Sequence, residues 1–116
     1  MKDANSLAAT INAYSMYCAG PMTGLPDFNF PEFDRVAARF RACGYTVISP
    51  AEHDREMGID IANPPSAKQL KEAIMWGLQQ VTNVDIVFFM RGWENSKGAR
   101  AEHALAVFLG KELWYE

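Results

Sequence analysis

Cysteine is scarce in this chain: 116 residues hold only Cys18 and Cys43. Two cysteines build no disulfide framework, and neither they nor the histidines His53 and His103 fall at metal-ligand spacing. The expectation is a reducing, cytoplasmic setting and no metal site. Positive charge is also short, 11 Lys and Arg against 14 Asp and Glu, for a formal charge of −3. That leaves no basic footprint for a nucleic-acid polymer. No apolar run nears the roughly 18–20 residues of a membrane span. The opening MKDANSLAATINA lacks the long apolar centre of a signal peptide. Neither G-x-G-x-x-G nor a Walker P-loop occurs, which disfavours the usual NAD and ATP sites and implies no cofactor.

What is present is an ordinary globular composition, 49% hydrophobic and 22% charged. Residues 1–12 are small and polar and read as a flexible leader; residues 13–116 read as one domain. Ala13 to Ala19 predicts a strand, stopped by Gly20-Pro21. Asn29, Pro31 and Glu32 suit the start of a helix whose apolar stripe is Phe33, Val36, Ala37 and Phe40 and whose stop is Gly44. Tyr45 to Ile48 is a second strand. Residues 51–65 read as a long polar loop, with Asp54-Arg55-Glu56 as solvated surface. Ser66 and Gln69 form a capping-box pattern, followed by the stripe Leu70, Ile74, Gly77, Leu78 and Val81. Asp85 opens IVFFM, a strand buried on both faces. Ala101, Ala104, Leu105 and Phe108 mark a third helix ended by Gly110, and Glu112 to Tyr115 a last strand.

This alternation predicts an α/β fold, a three-layer flavodoxin- or Rossmann-like open parallel sheet of four or five strands in the order 2-1-3-4. Ligands of such sheets sit beyond the C-terminal strand ends where the order reverses, here between the first and third strands. The two loops leaving those strands, AGPMTGLPDFN and RGWENSKGA, are also the most glycine-rich. Ser96 opens the third helix with Lys97 and Gly98, so it either caps the helix or, with the exposed N–H groups, holds an anion. Glu102 lies one turn inside, flanked by small Gly98 and Ala106, where the helix N-terminus is expected to keep it ionised.

Tyr17-Cys-Ala-Gly-Pro-Met-Thr-Gly24, Gly92-Trp-Glu-Asn-Ser96 and Gly98-Ala-Arg-Ala-Glu102 closely resemble a group of small phage and bacterial proteins. That group is similar to a branch of the nucleoside 2-deoxyribosyltransferase superfamily, which includes the 2′-deoxynucleoside 5′-monophosphate N-glycosidases. The resemblance spans about residues 14–115. It implies Glu102 as nucleophile, Tyr17 as an active-site tyrosine, Ser96 on a 5′-phosphate, and Gly20, Pro21 and Met22 beside sugar and base. It further implies a small nucleoside or nucleotide substrate and a homo-oligomer able to complete its own site.

Asp27, Phe28, Trp93 and Gly98 complete the candidate substrate contacts, with Trp93 and Phe28 available to stack on a base. One departure stands out. The superfamily places an Asp on the second helix, where this chain reads Met75-Trp76-Gly77-Leu78. Glu72, or Asp27, Asp54 or Asp60 from loops, are the alternatives. The chain then reads as an N-glycosidase or deoxyribosyltransferase, or else as a nucleotide-binding module or phage accessory protein.

Overall fold

The structure, a computed structural model, describes residues 14–116. Ala13 and the leader expected over residues 1–12 lie outside the described residues. Four strands, β1 (Ser15–Ala19), β2 (Thr46–Ile48), β3 (Ile86–Phe89) and β4 (Glu112–Tyr115), alternate with helices α1 (Phe30–Ala42), α2 (Pro50–Glu56), α3 (Ala67–Asn83) and α4 (Lys97–Leu109). Short 3-10 turns cover Pro26–Asn29 and Trp93–Asn95. All pairings are parallel, in the order β2-β1-β3-β4. The α/β class and strand order expected from the sequence are those observed, with four strands.

The period-2 alternation of a strand divides the core into two layers. From β1 and β3, Met16, Cys18, Ile86 and Phe88 meet Phe33, Val36 and Ala37 of α1 and Ala51 of α2. Tyr17, Ala19, Val87 and Phe89 point the other way, against Val81 of α3 and Ala99 and Ala106 of α4. A strand that feeds helices on both faces has no solvent side, which is why IVFF reads as an unbroken apolar run. Register pairs Tyr17 with Val87 and Ala19 with Phe89 at the sheet's centre.

Helix punctuation follows the residues. Ser66 accepts from the Gln69 amide while the Gln69 side chain accepts from the Ser66 amide, closing the capping box. Gly44 and Gly110 take left-handed φ of 95° and 69° beyond the ends of α1 and α4.

Two expectations need correction. The segment 51–65 is not all loop, because its first part is α2. Ser49 precedes it in extended conformation, Pro50 fills the first turn and Glu52 sits at the positive end of the dipole. Seven residues are too few for an apolar stripe to show. The stripe Ala101, Ala104, Leu105 and Phe108 is also not the core face of α4: Leu105 is half-buried and Phe108 is 84% exposed. The buried face is Ala99, Glu102 and Ala106, small residues around a carboxyl group.

Candidate active site

A cavity of about 350 Å³ opens beyond the C-terminal ends of β1 and β3, a volume typical of small-molecule sites. It lies where the strand order reverses, between β1 and β3. Gly20, Met22, Thr23 and Phe28 line it from the loop after β1, and Ser96 and Gly98 from the start of α4. A third wall was not anticipated: Pro50 and Asp54 of α2, Ile59 and Pro65 beyond it, and Leu70, Ile74 and Trp76 of α3. Most of these walls are apolar, and none is a lysine or arginine.

Glu102 lies on this cavity and is only 7% exposed. Tyr17, itself 2% exposed, donates its hydroxyl to Oε2 at 2.5 Å. Burial pushes the Glu102 carboxyl up to about 7, and the Tyr17 hydrogen bond acts in the opposite direction. The sequence predicts a carboxyl held ionised by the helix N-terminus; burial acts against that and raises it. Burial and the neighbouring Glu102 likewise hold the Tyr17 phenol well above its ordinary range.

The glycine on α3 explains the departure noted in the sequence. A Cβ on Gly77 would fall on Oε2 of Glu102 and within 2.8 Å of the Tyr17 hydroxyl. A side chain there, acidic or otherwise, displaces the Tyr17–Glu102 pair. Gly77 lets α3 close over the Tyr17–Glu102 pair. Trp76, next to it, sets its ring edge-on to Tyr17 at 6.1 Å.

Of the four carboxyl groups left open as alternatives, Asp54 alone lines this cavity. Asp27 faces a separate hollow with Arg55, Asp60 holds the turn to Asn63, and Glu72 is exposed on a small hollow behind Asp54. Asp54 is half-buried rather than solvated surface, and burial raises its carboxyl above the ordinary range while His53 opposes that rise. The signal for it was present in Ser49-Pro50-Ala51-Glu52, a helix start that places residue 54 one turn past the end of β2.

The remaining candidates divide. Ser96 accepts from the Ala99 amide at 3.2 Å, so it caps α4 and lines the cavity at once. Phe28 is shared between the cavity and the hollow that holds Asp27. Pro21 is not a cavity wall; its carbonyl accepts from the Asn29 amide group. Trp93 is not one either. It stacks on His103 at 4.3 Å and packs on Phe89, and His103 in turn meets the Tyr115 hydroxyl at 2.8 Å. A base would not stack on Trp93 in this arrangement. Cys18 is fully buried, with its thiol pushed up to about 12, and is inert apolar filling.

Among the described residues no cluster of His, Cys, Asp and Glu could hold a metal ion, and no helix is long and apolar enough to cross a membrane. Residues 14–115 match the model of a family described as Domain of unknown function (DUF4406), and the chain belongs to that family. No curated protein matches the chain.

Proposed function

We propose that this member of the DUF4406 family cleaves the N-glycosidic bond of a 2′-deoxynucleoside 5′-monophosphate, with Glu102 as nucleophile. The observation that carries the reading is the buried Glu102 carboxyl on a mostly apolar cavity, held by Tyr17 at 2.5 Å. A carboxylate so held attacks C1′ as positive charge develops on the sugar, and a glycosyl-enzyme ester results. Tyr17 positions one oxygen and leaves the other for the sugar. The phosphate rests on the first turn of α4, where Ser96 retains a hydroxyl proton to donate; at Gly98 the Ile74 side chain fills the place a Cβ would take. Lys97 and Arg100 lie on the exposed side of that turn. Phe28 and Trp76 are the aromatic walls against which a base packs. Transfer to water gives hydrolysis; transfer to a second base gives deoxyribosyl exchange.

The test is base release from a panel of deoxynucleosides and their 5′-monophosphates, followed by chromatography. The expected result is release from the monophosphates, with an acid limb near pH 7 as Glu102 ionises, and none with Glu102→Gln. Thermal stabilisation by nucleotides without release would show a binding module instead. Release undiminished in Glu102→Gln would remove the nucleophile from the scheme.

A further inference from the structure

The cavity carries two acidic side chains on different walls, and the scheme above uses one. Asp54 comes from α2 and Glu102 from α4, and both line the cavity together with Tyr17. Asp54 is backed by His53, whose Nδ1 lies 3.7 Å from Oδ1. That nitrogen is buried and has no hydrogen-bond partner. The imidazole is fixed by stacking on Trp76, with ring centres 3.8 Å apart and planes 13° from parallel. An unbroken chain of contacts therefore runs from Asp54 through His53, Trp76 and Tyr17 to Glu102.

We infer that Asp54 is the proton donor to the departing base, with His53 as the positioning residue behind it; this rests on the glycosidic reading. As the C1′–N bond breaks, its electron pair goes to the base and the Asp54 carboxyl proton follows to a ring nitrogen. Glu102 bonds to C1′ in the same step. In the second step the Asp54 carboxylate takes a proton from water, whose oxygen displaces Glu102 from C1′, and both groups are restored. An acid in this role must hold a proton before the step and a negative charge after it. Burial favours the first and His53 the second. The other titratable groups facing Asp54 are Tyr17 on β1, Glu102 on α4 and Glu72 of α3 across the small hollow. The acid missing from α3 is thus supplied by α2, the helix that follows β2.

The test compares two leaving groups. A nucleotide base needs a proton to depart; 4-nitrophenolate, on the corresponding 4-nitrophenyl 2-deoxyriboside 5-phosphate, does not. In the wild-type protein, kcat/KM should fall on a basic limb with the nucleotide and not with the aryl glycoside. Asp54→Asn should lose about 100-fold or more in kcat/KM with the nucleotide, keep its kcat/KM with the aryl glycoside, since that constant covers only the steps up to nitrophenolate departure, and lose the basic limb; Asp54→Glu should restore that limb. Equal losses on both substrates, or a wild-type basic limb of the same depth with both, overturn the assignment, and the second result needs no folded variant. A wild-type protein that releases neither base nor nitrophenolate overturns the glycosidic reading itself, and this inference with it.

Discussion

At the residue scale the site turns on a missing side chain. Gly77 lies inside a helix, where alanine would ordinarily be favoured by about 1 kcal/mol. Here the added Cβ meets the Glu102 carboxylate and the Tyr17 hydroxyl, both in the packed interior. Forcing a methyl group into such a core costs about 1–3 kcal/mol, so the steric effect exceeds the propensity gain. Gly77→Ala is expected to lower stability by about 1 kcal/mol in urea denaturation and to abolish base release by displacing Glu102 from Tyr17. A variant as stable and as active as the parent would mean that α3 stands farther from the pair. Sequence alone offered Glu102, Ser96 and their spacing, because one helix presents both. Through the family resemblance it offered Tyr17 as a residue to orient Glu102 or the sugar; the direct bond joins residues 85 positions apart that the sheet brings together.

Among the elements, those with strong punctuation were legible and the short ones were not. The capping box at Ser66 and the glycines after α1 and α4 mark their helices locally. Helix α2 has the same kind of start but too short a body, and the acid it carries into the cavity was hidden with it. The outward stripe on α4 misled for a different reason: periodicity reports a helix, not which side faces the sheet. The loop before α1 holds a further feature that periodicity does not show. Asp27, Phe28 and Asn29 have φ of 52°, 51° and 61°, a left-handed run without glycine. Each such residue costs about 1–2 kcal/mol, less for Asp and Asn. Asp27 is exposed, so Asp27→Gly relieves strain without losing packing, offset in part by about 0.4–1 kcal/mol of unfolded-chain entropy. A net gain of about 0.5 kcal/mol is expected in the urea midpoint. Phe28→Gly should lose stability, because that ring packs on the core and covers the cavity. Both variants moving in the same direction would contradict this account of the turn.

For the whole molecule, strand alternation and right-handed crossovers were enough to fix the sheet order, and with it the cavity's position. The wall from α2 and α3 needed the tertiary structure. That enclosure has a thermodynamic consequence, since it buries the carboxyl group the proposed chemistry needs. Unfolded, Glu102 titrates near its ordinary 4.5; folded, near 7. Below the lower value the group is protonated in both states and its burial carries no charge penalty. As pH rises through the window between the two, the unfolded chain gives up its proton first and folding stability falls. At 1.36 kcal/mol per pH unit the full loss is roughly 3 kcal/mol, a large share of the about 5–15 kcal/mol that holds a domain together. Glu102→Gln removes the charge and keeps an amide oxygen to accept from Tyr17. It should be more stable than the parent by about 2–3 kcal/mol at about pH 8 and indistinguishable from it at about pH 4, while releasing no base. Urea denaturation of both proteins across that range tests the claim. A parent whose stability is flat over the window, or a variant no more stable at the alkaline end, would mean that the carboxylate is solvated after all.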